Sequence, residues 1–104
     1  MDKEYQELEE LFRLNRKFFV AFGDYRRQDV MVALWDNKDM TVKDLAHLLN
    51  MPRPTVSHHI KILKDAGLLK EQKSGVRTYY QPSLRTAVDS IRVFLDKADK
   101  IIDC

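Results

Sequence analysis

The stretch Pro54-Thr55-Val56-Ser57-His58-His59-Ile60-Lys61-Ile62-Leu63-Lys64-Asp65-Ala66-Gly67-Leu68-Leu69 decides the fold. At about 100° per residue, Val56, Ile60 and Leu63 fall within about 60° of one another, so one narrow edge of a helix faces a core. The far edge carries Ser57, His58 and Lys61, with Thr55 and His59 towards its margin. That edge is short, polar and hydrogen-bonding, and it lies in the N-terminal half of the helix. A helix that enters a DNA major groove needs such side chains there. Pro52 and Pro54 suit the first turn, where a missing N–H costs nothing. The remaining free N–H groups of that turn suit a phosphate. Gly67 ends the helix near Ala66.

Working upstream, Thr41-Val42-Lys43-Asp44 reads as a capping-box start to a short helix that buries Leu45, Leu48 and Leu49. Ala46 is small enough to let two helices cross closely. Asn50 tolerates the left-handed conformation that ends the helix. Downstream, residues 68–73 and 76–81 turn to β character, with Val76, Thr78, Tyr79 and Tyr80 near the Ser74-Gly75 turn. Two helices across a tight turn followed by a hairpin is the winged helix-turn-helix order. Before it, residues 3–22 form a helix with a stripe of Leu8, Leu11, Phe12, Phe18, Phe19 and Phe22, interrupted by Asn15. Gly23 ends it and Asp24 starts another, whose expected core residues are Val30, Val32, Ala33, Leu34 and Trp35. Asn37-Lys38-Asp39 signals a turn. Pro82-Ser83 opens a last helix whose Leu84, Val88, Ile91, Leu95, Ala98 and Ile102 step by heptads, with Ala87, Phe94 and Ile101 beside them. The expected architecture is therefore mostly α: about five helices and a two-stranded wing in a single domain over 1–104. Residues 41–66 form the helix-turn-helix and 68–81 the wing.

Composition narrows the function. The chain has 104 residues, 44% hydrophobic and 33% charged, enough for one core. Its three glycines, Gly23, Gly67 and Gly75, are too dispersed for a phosphate-cradling loop. The single cysteine, Cys104, excludes a disulfide framework and a multi-cysteine zinc cage. A membrane span needs a run of about 18 apolar residues, which is missing, and no secretory signal is present, so the expected location is cytoplasmic. Net charge is only +2, yet Arg53 to Arg77 holds six basic residues against two acidic ones. A local basic surface is the electrostatic mark of a polyanion partner. Ser57, His58 and Asp65 do not make a catalytic triad, because Ser57 and His58 diverge around the helix and no glycine elbow is present. An enzyme is not expected.

The 54–69 stretch, with Lys73-Ser74-Gly75-Val76-Arg77-Thr78-Tyr79-Tyr80 after it, closely resembles the ArsR/SmtB family of bacterial winged-helix repressors. Phe22-Gly23-Asp24-Tyr25-Arg26-Arg27 is similar to that family's stretch at its second helix, with Tyr25 in place of the usual proline. The resemblance implies a homodimeric DNA-binding regulator. Carried over by position, Thr55, Ser57 and His58 would meet bases and phosphates, and His59 would partly buttress the helix. Lys73 and Arg77 would flank the wing tip. With Arg53 and Lys61 from the basic stretch, these eight residues form the expected DNA-binding set. The family's metal ligands are missing. Thr41 and Lys43 stand where one site has thiolates, and the last helix has aspartates (Asp89, Asp96, Asp99, Asp103) but no histidine. Carboxylates alone suit soft or borderline metals poorly. His47 stands one helical step from Asp44, and His58 and His59 point about 100° apart, so neither pair makes a convincing ligand set. No metal and no cofactor are expected.

The first helix (within 1–22) and the last (within 82–104) present more apolar surface than one small domain covers. They are expected to pair with a second copy through Leu8, Phe12, Phe19, Val88, Ile91, Leu95, Ala98 and Ile102. The expected function is a sequence-specific transcriptional regulator, a repressor that binds an inverted-repeat operator in double-stranded DNA as a homodimer. The alternative is a winged-helix protein-interaction module without DNA binding, against which the polar face of Thr55, Ser57, His58 and Lys61 argues.

Overall fold

A computed structural model describes residues 2–102. Asp103 and Cys104 lie outside the described residues. The elements run α1 (Lys3–Phe22), α2 (Tyr25–Asp36), α3 (Val42–Leu49), α4 (Arg53–Asp65), β1 (Leu69–Ser74), β2 (Arg77–Pro82) and α5 (Arg85–Ile102). Among the described residues that makes five helices and one antiparallel hairpin, the winged helix-turn-helix order. No helix is long and apolar enough to cross a membrane.

Local chemistry sets each boundary. Asp24 caps α2 by accepting from the backbone N–H groups of Arg26 (2.8 Å) and Arg27 (3.2 Å). Thr41 and Asp44 form a reciprocal capping box at α3, at 3.2 and 3.1 Å. Asn50 takes the left-handed conformation at φ 52°, which turns the chain from α3 towards α4. Gly67, at φ 79°, turns it again from α4 into the wing. Leu69 pairs with Pro82 and Ser74 with Arg77, so the tip is Gly75-Val76 and both strands lie one residue later than the sequence predicts. The last helix also starts later, at Arg85. Ser83 donates to the Leu68 carbonyl at 2.8 Å and keeps the chain beside β1 past Pro82.

The core gathers Phe18, Val30, Leu34, Leu45, Val56, Ile60, Leu63, Leu68 and Ala87 from every helix and the base of the wing. α1 lies antiparallel along α5. Glu7 pairs with Lys97, the Phe12 and Phe94 rings meet edge to face at 4.6 Å, and Asn15 Nδ2 donates to the Ser90 carbonyl at 3.3 Å. Asn15 is fully buried, so the residue that interrupts the stripe in sequence faces inward. Three expected core residues are exposed instead: Val32, Trp35 (63%) and Leu48. A run of consecutive apolar residues cannot all face one way on a helix. Met31 and Leu34 take the inner face of α2, and Leu45 takes that of α3.

Candidate nucleic-acid interface

α4 presents the polar edge expected of it. Ser57, His58 and Lys61 are exposed, Thr55 is half-buried, and Arg53 stands exposed at the helix start. Lys61 Nζ lies 2.9 Å from Asp65 Oδ2, an exposed pair one turn apart. Such pairs contribute only about 0.3–0.5 kcal/mol, so Lys61 is easily released to a phosphate. Lys73 and Arg77 stand exposed on either side of the Gly75-Val76 tip. Arg77 also lies within electrostatic range of Asp44 at the start of α3, so the wing and the helix pair contribute to one continuous surface.

Two open grooves extend that surface. One, of about 580 Å³, is lined by Met40, Lys43, Asp44, Ala46, His47, Leu48 and Arg53. The other, of about 240 Å³, runs between α4 and the wing base and holds Lys61 and Lys64 beside Ser57. Lys43, His47 and Lys64 thereby join the candidate residues. The excess of positive charge over 53–77 contains Lys64. Lys43 and His47 lie outside it, and only the crossing of α3 over α4 brings them to Arg53.

His59 departs from the expected DNA-binding set. It is only 6% exposed and serves as a buttress. Its Nδ1 lies 3.3 Å from Arg27 Nη1. Arg27, itself buried, donates Nε to the Ala21 carbonyl (2.8 Å) and Nη2 to the Val20 carbonyl (3.3 Å), with Asp24 Oδ2 at 3.9 Å. The cation thus sits at the C-terminal end of α1, where free carbonyls and the helix dipole favour it. A guanidinium can donate to Nδ1 only if His59 is neutral and carries its proton on Nε2. The cluster ties the reading helix to α1 and α2.

Burial, then the Arg27 charge, hold the His59 pKa below its ordinary 6.5, with Asp24 opposing them. The unfolded chain therefore takes up a proton first as pH falls. The His59 contribution to stability is present above about pH 6.5 and is lost as pH drops from there towards the lowered value. Asp24 and Asp44 have pKa values below 3.8, so they act in a lower window. The urea midpoint should fall between pH 7 and pH 5, and His59→Gln, which can still accept from Arg27, should flatten that decline. An equal decline in the variant refutes the assignment.

The last helix divides its seam. Ala87 is buried, Ile91 packs on the core, and Phe94 meets Phe12 and Phe19 (5.4 Å) edge to face. Phe19 and Ile91 are thus engaged largely within the chain. Val88, Leu95 and Ile102, seven residues apart, are left exposed, as is Phe12 on α1. Leu8 and Ala98 are half-buried. A groove of about 430 Å³ on α1 is lined by Tyr5, Leu8 and Phe12 together with the charged Glu9, Arg13 and Arg16. Among the described residues no three His, Cys, Asp or Glu side chains are gathered to hold a metal ion.

Comparison with known proteins agrees with this geometry. The model of a family described as bacterial regulatory protein, arsR family, matches residues 24–71. An HTH-type transcriptional regulator of Methanocaldococcus jannaschii is 41% identical over 64 residues, which span 62% of this chain and 72% of the relative. The transcriptional repressor SdpR of Bacillus subtilis is 33% identical over 82 residues, 79% of this chain and 90% of the repressor. Among solved structures, an ArsR-like transcriptional regulator from Rhodococcus sp. RHA1 superposes with a TM-score of 0.79 at 21% identity, covering 88% of this chain and 83% of that one. A homodimeric winged helix-turn-helix DNA-binding domain from Mycobacterium bovis gives 0.62 at 23% identity, over 99% and 87%.

Proposed function

This chain belongs to the arsR family of bacterial regulatory proteins, and from that premise we propose that it is a transcriptional repressor that binds an inverted-repeat operator as a homodimer. The observation that carries the reading is the exposed polar edge of α4, Ser57, His58 and Lys61, bordered by Arg53 and by the wing cations Lys73 and Arg77. Ser57 and His58 offer donors and acceptors to base edges, while the cations offer charge to phosphates. Two copies joined through the exposed Phe12, Val88, Leu95 and Ile102 would set two reading helices about 34 Å apart, one duplex turn. Relatives of the family are regulators and repressors, which supports the non-enzymatic reading.

Selection of bound duplexes from genomic fragments tests the proposal, and recovery of a palindromic site is the expected result. On that site Arg77→Ala should weaken all sequences alike. Ser57→Ala and His58→Ala should each lower affinity by about 1–3 kcal/mol and relax base preference. If both kinds of variant weaken every sequence equally, α4 is not the reader. A protein-interaction module would retain no duplex at all.

A further inference from the structure

Trp35 is the chain's only tryptophan, and it stands in water on α2. It is one wall of a cavity of about 330 Å³ whose other apolar walls are Leu34, Tyr80, Pro82 and Leu84. Lys38 and Gln81 are the polar groups. Leu34 is buried, so it belongs to the domain core, and Tyr80 is half-buried and packs on that core. Lys38 is exposed and joins no ion pair among the described residues. None of the eight residues expected at the dimer face lines the cavity.

We propose that this cavity is a binding site for a small apolar carboxylate, an aryl or short acyl acid. Its volume is at the lower end of small-molecule sites, which suits about a dozen heavy atoms better than a protein segment. The indole, Tyr80 ring, Pro82 and Leu84 take the apolar body, and one free ammonium matches one carboxylate in a charge-assisted hydrogen bond. The cavity lies where the end of α2 meets the chain leaving β2 for α5. A ligand there touches both the wing and the segment that leads into the paired helix. Resting on the repressor reading above, occupancy should change operator affinity, with a typical coupling of about 5- to 150-fold.

The test uses the full chain and the fluorescence of Trp35. Benzoate, phenylacetate and octanoate are titrated, with 2-phenylethanol as the uncharged counterpart, and calorimetry provides a second readout. Saturable binding of at least one acid is expected. It should weaken about tenfold in Lys38→Gln, return in Lys38→Arg, and be about tenfold weaker for the alcohol on the unaltered protein. The acid–alcohol comparison needs no variant, so it stands even if a substitution disturbs folding. No saturable signal from any acid, or an alcohol that binds as well as the acids, overturns the proposal. So does a change in oligomeric state in Trp35→Glu, which would assign the face to a second copy. A gel shift at saturating ligand reads the coupling, and unchanged operator affinity overturns the effector role. Failure of the ligand-free protein to bind duplex counts against the repressor reading alone and leaves the fluorescence result standing.

Discussion

Raising monovalent salt from about 50 to about 200 mM should weaken operator binding by about a thousandfold. Each chain offers Arg53, Lys73 and Arg77 as exposed cations with no carboxylate within ion-pair distance among the described residues, so the proposed dimer neutralises about six phosphates. Release of condensed counterions then gives a log–log slope near −5. Lys61 adds to this only by leaving Asp65. Fluorescence anisotropy on a labelled operator at four or five salt concentrations measures the slope directly. A response shallower than about −2 would mean that these cations do not meet the backbone.

The second large effect concerns the apolar face. In the proposed homodimer, Leu95→Glu should yield a monomer and lower operator affinity by about a thousandfold or more, because one half-site keeps only half of the contacts. A carboxylate placed in an apolar interface loses its hydration with no partner to compensate, which is costly. Leu95 is 56% exposed in the single chain, so the substitution removes little from the protomer's own core. Val93 provides the control. It is about as exposed at 55% but lies about 200° around α5 from Leu95. Val93→Glu should leave both the sedimentation coefficient and the operator affinity unchanged. A Leu95→Glu protein that still sediments as a dimer would move the interface elsewhere.

Much of the fold was legible because its boundaries depend on local chemistry. Thr41 with Asp44, Asn50, Pro54 and Gly67 each act within a few residues of themselves, and all behave in the structure as their residue types demand. The edge of α4 was legible for a related reason. Val56, Ile60 and Leu63 can face only one way on a regular helix, which leaves Ser57, His58 and Lys61 outside. The errors fall where a residue's fate depends on another element. Val32 and Trp35 continue an apolar run, but Met31 and Leu34 occupy the space that α3, α4 and the wing leave open. In sequence, Asn15 is a polar interruption. In the structure it is buried, and its amide Nδ2 donates to the Leu11 carbonyl of its own helix and to the Ser90 carbonyl of α5.

By itself, then, the order of residues determined the element sequence, the outward polar edge and the local charge excess. Periodicity, capping and composition are properties of a segment and need no partner. Only the tertiary structure decided that His59 is withdrawn to meet Arg27, that Lys43 and His47 join Arg53, and that the seam of α5 splits, with Ile91 on the core and Leu95 exposed. Those outcomes turn on which surfaces are covered when helices distant in sequence pack together, and burial is a property of the assembled chain.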